Sequence, residues 1–304
     1  MKNVLVVGSI NMDMTIIADR FPNPGETVTG NSFCTHFGGK GANQAVALSK
    51  QGTNVKFIGA VGKDANGKAC IENLEKNGVL FCGKELIDTT TGVAVITVCR
   101  GENCIILHSG ANSCVDSHQI MENEALFKWA DAVVMQLEIP VETVLTCSRI
   151  AKQNGCVTVL NPAPAKLLPQ AIYEYTDLLI PNEHEARILT GIDCASQEDI
   201  RQAIFKLKEK GVGEVIITLG EKGCAYSIEK NVYFKNSYPS KAVDTTAAGD
   251  SFIGGLCSAL EKTSDPAEAV DYASKVSSIT VGRMGACDSI PKKQEVISFF
   301  SKIR

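Results

Sequence analysis

The sequence predicts an α/β protein with three layers, α/β/α, and a small antiparallel β-sheet inserted into it. Short runs rich in valine, isoleucine and leucine alternate with amphipathic segments, which is typical of parallel strands buried on both faces and joined by crossover helices. Two pairs of strand-like segments depart from this rhythm, because a turn signal and no helix separates their members. The composition, 44% apolar and 21% charged, suits a globular chain with a substantial core.

The elements follow from this alternation in chain order. Core strands are predicted at residues 4–7, 55–61, 132–136, 157–160, 178–180 and 215–219. Helices are predicted at residues 41–51, 65–77, 141–154, 196–210, 247–260, 266–281 and 292–303. No repeat or extended linker interrupts the series, so residues 1–304 are expected to form a single domain.

The inserted sheet is predicted from residues 12–18 paired with 27–37 and from the hairpin within 93–108, whose strands are 93–99 and 104–108. Alternate residues of "GVAVITV" point to opposite faces, and neither face is plainly polar. A thin sheet that is apolar on both faces needs a cover on each side. The main domain with its ligand can supply one cover and a second copy of the sheet the other, which predicts a homodimer.

Charge and hydropathy disfavour several classes of partner. Thirty Lys and Arg against 34 Asp and Glu give a net charge of −4, and no basic run is present to bind nucleic acid. No apolar stretch approaches the ~18 residues of a membrane span, and Asn11 and Asp13 interrupt the first apolar run. We therefore expect no nucleic-acid partner, no membrane partner and a cytoplasmic location.

The cysteines and histidines do not predict a metal site. None of the twelve cysteines forms a C-x-x-C pair, and the four histidines have no ligand spacing. Most cysteines lie inside apolar segments, where a free thiol behaves as a small hydrophobic side chain.

The segment "AVDTTAAGDSFIGG", residues 242–255, is the strongest local indication of chemistry. Ala247, Ala248 and Gly249 begin a helix and leave backbone N–H groups free to bind an anion. Asp250 follows in the first turn, where a carboxylate can accept a proton from an attacking hydroxyl, so the pairing favours phosphoryl transfer. The alternative is that Thr246 or Asp250 only caps the helix and that the glycines only permit close packing.

A second glycine-rich segment, "FGGKGANQAVAL" at residues 37–48, runs from the small sheet into a helix. Its glycines let the backbone approach a ligand, and Lys40 and Asn43 supply donors for sugar hydroxyls or phosphate. We interpret it as a substrate loop, although a plain glycine-rich turn with a solvated lysine would look similar.

Two other glycine patterns are rejected. "GKDANGKA" at residues 62–69 resembles a phosphate-binding P-loop, but Ala69 lacks the hydroxyl that binds magnesium. "VVGSIN" has no second glycine two residues after Gly8, which disfavours a dinucleotide-binding fold and an NAD-dependent oxidoreductase.

Nine segments in order along almost the whole chain resemble the ribokinase group of the PfkB carbohydrate kinase family. They are "GSINMD" (8–13), "GGKGANQA" (38–45), "VGKDANG" (61–67), "SGAN" (109–112), "QLEIP" (136–140), "LNPAPA" (160–165), "PNEHEA" (181–186), "TLGEKG" (218–223) and "DTTAAGD" (244–250). The resemblance implies a ribokinase-like fold and ATP-dependent phosphorylation of the 5-hydroxyl of D-ribose. It also implies that the small sheet is a lid that closes over the sugar and forms the dimer.

Matched motif by motif, the resemblance also implies site residues. The residues that bind ribose are Asn11, Asp13, Gly39, Lys40, Asn43 and Glu138, with Asp250 as the catalytic base beside the N–H groups of Ala247, Ala248 and Gly249. The residues that the resemblance implies in contact with ATP are Asn182, Thr218, Gly220, Gly223, Ala248 and Gly249. Magnesium is implied near Asn182 and Glu185 through water, and potassium near Asp244, Thr246, Thr280, Arg283, Gly285 and Ser289.

Departures from the family pattern lie near the nucleotide and potassium positions. Ala273 stands where the family's asparagine near adenine is expected, and Cys287 and Asp288 replace other residues of the late loop. These departures concern the adenine contacts rather than phosphoryl transfer.

Three alternatives stay open at this point. Another kinase of the same fold could act on 2-deoxyribose, fructose or a nucleoside, although Lys40 within "GGKGANQA" favours ribose. A sugar-binding regulator without catalysis is disfavoured by the presence of Asp250, Asn182 and Glu185. An oxidoreductase is the third alternative.

Overall fold

A nine-stranded sheet forms the centre of the molecule. The computed structural model describes residues 1–100, 102–260, 262–263 and 265–302. From edge to edge the strands are β15 (Asn231–Lys235), β14 (Cys224–Ile228), β13 (Glu214–Thr218), β12 (Leu178–Leu179), β11 (Val157–Leu160), β10 (Ala132–Met135), β1 (Asn3–Val7), β4 (Asn54–Ile58) and β6 (Val79–Phe81). Neighbouring strands are parallel from β6 to β13, and β14 is antiparallel to both of its neighbours.

Helices cover both faces of this sheet. They are α1 (Lys40–Lys50), α2 (Ala65–Lys76), α3 (Ser117–Glu122), α4 (Glu124–Trp129), α5 (Val141–Gln153), α6 (Gln170–Glu174), α7 (Glu183–Thr190), α8 (Gln197–Glu209), α9 (Ala248–Ala259), α10 (Pro266–Thr280) and α11 (Lys293–Ser301). Leu5 and Val7 of β1 pack with α5 and α8, whereas Val4 and Val6 pack with α1, α9 and α10. This alternation puts an apolar layer on each side of the sheet, so the predicted α/β/α architecture is confirmed.

A second, four-stranded sheet has the order β3 (Ser32–Gly38), β2 (Asn11–Ile17), β8 (Gly92–Cys99) and β9 (Glu102–His108). The predicted pairs β2–β3 and β8–β9 are antiparallel, as expected. The central pair, β2–β8, is parallel, so the prediction of a wholly antiparallel sheet is wrong at this pair. The reason is that both strands begin at the main domain and extend in the same direction.

Several predicted boundaries also change. The strand predicted at 55–61 is divided at Gly59 into β4 and β5 (Ala60–Gly62), and β5 pairs with β7 (Lys84–Leu86) in a separate two-stranded sheet. A Cβ on Gly59 would lie 2.8 Å from the carbonyl oxygen of Gly8, so the chain bends there at close backbone contact. Residues 27–31 precede β3 rather than form part of it.

The sequence prediction missed some elements altogether. The hairpin β14–β15 and the strand β6 were not anticipated, because their runs of apolar residues are short. Residue 303 of the predicted last helix and residue 101 of the predicted hairpin lie outside the described residues. Within the described ranges, the helices lack the combination of length and apolar character that crossing a membrane requires.

Candidate active site

A cleft of about 880 Å³ lies between the main sheet and one face of the small sheet. The chain segments that follow the carboxyl ends of the parallel strands β10, β11 and β12 contribute to its floor, which is where α/β folds bind ligands. The small sheet contributes alternate residues of its strands, among them Thr15, His36, Ile96 and Ile105. The main α/β/α part and the small inserted sheet, which were predicted separately from the sequence, therefore enclose the cleft together.

The residues predicted to bind the sugar all line this cleft: Asn11, Asp13, Gly39, Lys40, Asn43 and Glu138. The loop before α1 brings them together. Gly39 has φ +88°, and a Cβ there would lie 2.8 Å from the Asn11 backbone nitrogen. Only glycine fits this conformation and this close approach without strain.

Glu138 joins two of the loops that carry the residues predicted to bind the sugar. Its carboxylate accepts the backbone N–H of Lys40 at 3.0 Å and the hydroxyl of Ser9. Asn112 holds the neighbouring loop, because its side chain hydrogen-bonds both the N–H and the carbonyl of Ile10. The same amide donates to the side-chain oxygen of Asn11 at 2.7 Å, which fixes the orientation of Asn11.

Asp13 faces two other carboxylates. Burial, together with the nearby charges of Glu138 and Asp250, raises the pKa of Asp13 to about 7. Gly38 makes room for it, since a Cβ on Gly38 would lie 2.1 Å from a carboxylate oxygen of Asp13. Lys40 supplies the opposing positive charge: burial alone would lower its pKa, but Asp250, Glu138 and Glu185 raise it above its ordinary value.

Asp250 is buried in the first turn of α9 and accepts two amide hydrogen bonds. Asn43 donates to one carboxylate oxygen at 3.1 Å, and Gln44 donates to the other at 2.9 Å. Burial raises the pKa of Asp250, while Lys40 and the two amides act in the opposite direction. A carboxylate held in this way at the wall of a cleft can serve as a general base.

The start of α9, predicted from the sequence to bind an anion, lies at the wall of the cleft. Ala247 caps the helix in the left-handed conformation with φ +59°, and Ala247, Ala248 and Gly249 all line the cleft. The Ala248 N–H donates to the Thr245 carbonyl at 3.2 Å, so one of the three predicted donors has a partner within the turn. Gly249 is open, because a Cβ added there would meet no atom within 4 Å.

Asn182 and Glu185 form a capping box at the start of α7. The Asn182 side chain accepts the Glu185 N–H at 2.8 Å, and the Glu185 carboxylate accepts the Asn182 N–H at 2.9 Å. Both residues line the cleft, and burial raises the pKa of Glu185. Glu185 is therefore a buried group of the cleft wall and not a solvent-exposed charge.

These residues are compatible with magnesium held through water. Within the described part of the chain, no group of three or more His, Cys, Asp or Glu residues is placed to ligate a metal directly. A buried carboxylate fixed at the wall of the cleft suits a hard cation that keeps several waters.

The predicted nucleotide residues divide between the cleft and the hairpin behind it. Thr218 and Gly220 line the cleft. Gly223 is not among the residues that line it, and a Cβ there would lie 2.0 Å from the Lys235 carbonyl oxygen, so the packing of β15 accounts for this glycine. Ala273 is buried between α10 and α9.

Three of the predicted potassium residues, Asp244, Thr246 and Gly285, line the cleft. The Asp244 carboxylate accepts the N–H of Thr246 at 2.9 Å and the N–H of Gly285 at 3.0 Å. Burial acts to raise the pKa of Asp244, but its hydrogen bonds outweigh burial and the pKa is lowered. Asp244 thus joins the loop before α9 to the late loop.

The other three predicted potassium residues lie away from the cleft wall. The Thr280 hydroxyl donates to a carbonyl of its own helix, and the Ser289 hydroxyl donates to a carbonyl three residues earlier. Arg283 pairs with Glu295 at 2.9 Å on the surface. These three residues are not among those that line the cleft, and the Thr280 carbonyl already accepts the Arg283 N–H at 3.1 Å.

The sequence analysis missed several buried polar side chains around Asp250. Gln44, Gln136 and Asn161 form a hydrogen-bonded group behind it, and the Cys287 thiol donates to the side-chain oxygen of Asn43 at 3.0 Å. The available signal was a polar residue directly after an apolar strand, as in "AVVMQ" and "VTVLN".

The chain matches the family described as pfkB family carbohydrate kinase over residues 1–293. It therefore belongs to the pfkB family of carbohydrate kinases, and the resemblance carried by the nine motifs is confirmed.

Proteins similar to this chain include two ribokinases and one deoxyribokinase. A ribokinase of Haemophilus influenzae is 39% identical, with 98% of each chain covered. A solved structure of Arabidopsis thaliana ribokinase complexed with ribose and ATP has a TM-score of 0.93 and 31% identity, with 98% of each chain covered, and confirms the ribokinase-like fold. A deoxyribokinase of Salmonella typhi is 32% identical over 98% of this chain and 99% of its own.

Proposed function

We propose that this chain transfers the γ-phosphoryl group of ATP to the 5-hydroxyl of D-ribose, giving ribose 5-phosphate and ADP. The observation that carries the proposal is the buried Asp250 carboxylate, which shares one cleft with the six predicted sugar residues. The similarity to a ribokinase of H. influenzae and to a ribokinase complexed with ribose and ATP supports the choice of sugar and nucleotide.

In the proposed reaction Asp250 accepts the proton of the 5-hydroxyl while that oxygen attacks the γ-phosphorus. The bond from phosphorus to the bridging oxygen breaks, ADP leaves with the electron pair, and Asp250 later releases the proton to solvent. Burial raises the pKa of Asp250 above the ordinary value of an aspartate, which makes it a more effective base.

The sugar is proposed to bind through its hydroxyls. Asp13 and Glu138 accept hydrogen bonds from hydroxyl groups, whereas Asn11, Lys40 and Asn43 donate them. Gly39 allows the ring to approach the backbone. This pattern of donors and acceptors suits a polyhydroxylated ligand and leaves Asp250 beside the reacting hydroxyl.

The phosphates are proposed to lie at the start of α9. The N–H groups of Ala247, Ala248 and Gly249 and the positive end of the helix dipole stabilise the negative charge that develops on the transferred group. To contact a phosphate, the Ala248 N–H must share or release its hydrogen bond to the Thr245 carbonyl. Thr218, Gly220 and Asn182, which line the cleft, are proposed to contact the rest of ATP.

Two cations complete the proposal. Asn182 and Glu185 would hold Mg²⁺ through water, and bound Mg²⁺ neutralises charge on the phosphates. Potassium is proposed at the loops that Asp244 joins, with Thr246, Thr280, Arg283, Gly285 and Ser289 contributing mainly through their backbone carbonyls. The expected result is faster turnover in potassium than in a large organic cation at equal ionic strength, and equal rates would contradict this part.

The small sheet is proposed to act as a lid over the sugar, so that residues 1–304 form a single kinase domain with a lid from residues 12–18, 27–37 and 93–108. A homodimer formed through the outer face of this sheet, and a cytoplasmic location, are proposed with it.

The test of the substrate is an ADP-release assay against ribose, 2-deoxyribose, fructose and nucleosides. We expect the highest kcat/KM for ribose, because a buried partner left without the 2-hydroxyl costs ~1–3 kcal/mol, or about 5- to 160-fold. The S. typhi deoxyribokinase makes 2-deoxyribose the second candidate. Equal values for the two sugars would contradict the choice of ribose.

The test of the base is Asp250→Asn. This change keeps the shape of the side chain but removes its ability to accept the proton, so turnover is expected to fall by about 10²-fold or more. Calorimetric titration should show that ribose and ATP still bind. A variant with near-parental turnover would show that Asp250 is not the base.

A further inference from the structure

A chain of side-chain amides connects strand β10 to Asp250. Gln136, directly after β10, donates from Nε2 to Oε1 of Gln44 at 2.6 Å. Gln44, on α1, donates in turn from Nε2 to Oδ1 of Asp250 at 2.9 Å and to Oδ1 of Asn161 at 3.2 Å. Asn161 donates to the carbonyl of Ile180 at 2.9 Å.

The chemistry of its ends sets the direction of this chain. An ionised Asp250 and the Ile180 carbonyl can only accept hydrogen bonds, so each must face an amide nitrogen. Gln44 therefore presents its nitrogen to Asp250 and its oxygen to Gln136, which fixes the orientation of both glutamines.

Neither glutamine lines the cleft, and both side chains are fully buried. In addition, Oε1 of Gln136 has no hydrogen-bond partner among the described residues. A buried polar atom without a partner costs free energy that an apolar side chain of the same size would avoid. Stability alone therefore does not explain a glutamine at position 136.

We propose that Gln44 and Gln136 are positioning residues that hold the Asp250 carboxylate in the orientation needed to accept the hydroxyl proton. Gln44 fixes the carboxylate directly, and Gln136 fixes Gln44. This inference rests on the proposed phosphoryl transfer and adds two residues to it that contact neither sugar nor nucleotide.

Loss of the hydrogen bond from Gln44 is expected to change the pKa of Asp250 and so its ability to accept a proton. The amide stabilises the ionised form of Asp250, so its removal raises the pKa of that group further. The charged or titratable groups around Asp250 are Lys40, Asp13, Glu138, Glu185 and Cys287. The variants retain all of these groups, so a change in the pH profile reports the amide.

The experiment compares Gln44→Met and Gln136→Met with the parent enzyme in kcat, KM for ribose and the pH dependence of kcat. We expect kcat to fall about tenfold in Gln44→Met and about threefold in Gln136→Met, with KM within about twofold of the parent. The acid limb of the kcat profile should move to higher pH in Gln44→Met.

Gln119→Met is the matched control. Gln119 is a buried glutamine whose Nε2 donates to the Gly59 carbonyl at 2.9 Å and whose Oε1 also has no partner among the described residues. Its variant should change thermal stability but not the pH profile. If Gln44→Met does not fold, Gln136→Met decides the question, because it does not contact Asp250.

Two failures can be told apart. A parent enzyme that does not phosphorylate ribose overturns the proposed function. An active parent with an unchanged kcat and pH profile in the folded variants overturns only the positioning role.

Discussion

Asp13, which is half-buried, and Asp250, which is buried, line one cleft, yet their surroundings give them different chemistry. Asp250 has an amide donor on each carboxylate oxygen, whereas Asp13 faces the negative charges of Glu138 and Asp250. Asp13 therefore gains little that offsets its burial in the absence of sugar. A bound hydroxyl that donates to Asp13 would favour its ionised form.

This contrast predicts a pH-dependent effect of Asp13→Asn on stability. Burial and the neighbouring carboxylates raise the pKa of Asp13 from 3.8 to about 7, so the folded state binds its proton more tightly than the unfolded state. The contribution of Asp13 to stability is therefore present below pH 4 and is lost as pH rises toward 7 and above. The full cost is on the order of 4 kcal/mol at 1.36 kcal/mol per pKa unit.

Denaturation without ligands at pH 5 and pH 8 measures this effect. Asp13→Asn should be more stable than the parent at pH 8, with a much smaller difference at pH 5. The exposed Asp88 provides the control variant Asp88→Asn. A difference between Asp13→Asn and the parent that does not vary with pH would contradict the prediction.

At the scale of elements, α1 organises the site. Its first two turns carry Lys40, Asn43 and Gln44 toward the cleft, and its last residue, Lys50, donates to the carbonyl of Cys287 at 2.7 Å. The same helix thus connects the sugar end to the late loop proposed to bind potassium. A change in the position of that loop can therefore alter the positions of Asn43 and Asp250, because packed and hydrogen-bonded atoms connect them.

Two of the glycines in helix α9, Gly249 and Gly254, are expected to have opposite effects on stability when replaced by alanine. A Cβ at Gly249 would meet no atom within 4 Å, so Gly249→Ala should keep or raise stability by up to about 1 kcal/mol through helix propensity. It should nevertheless lower kcat by about tenfold or more, because the methyl group would occupy space proposed for phosphate. Chemical denaturation and steady-state kinetics measure the two effects.

Gly254→Ala is the contrasting variant. A Cβ there would lie 2.4 Å from Cβ of Ala47, so overpacking should destabilise the fold by about 1–3 kcal/mol. A Gly249→Ala variant that is both stable and fully active would contradict the placement of phosphate at this helix.

At the scale of the molecule, the outer face of the small sheet is apolar. Phe33 is 62% exposed and Ile106 is 74% exposed, and both point away from the cleft-lining residues of their strands. This face agrees with the two-sided apolar pattern predicted from the sequence and is the proposed dimer surface.

Ile106→Lys is expected to convert a dimer into a monomer, because it places a charge within the apolar surface. Light scattering at micromolar protein should then give half of the parental mass. Leu167→Lys, at an 82% exposed position outside the small sheet, is the control and should leave the mass unchanged. A monomeric parent protein would contradict the proposed dimer.

The sequence by itself determined the layered α/β/α fold, the membership of a kinase family and most of the cleft. Local periodicity shows burial on both faces, and the glycine segments around Gly39 and Gly249 predicted two parts of the chain that line the cleft. The tertiary structure alone decided the parallel pairing of β2 with β8, the packing role of Gly223 and the amide chain behind Asp250. The physical reason is that these features depend on atoms far apart in the chain, and local periodicity carries no information about such distant pairing.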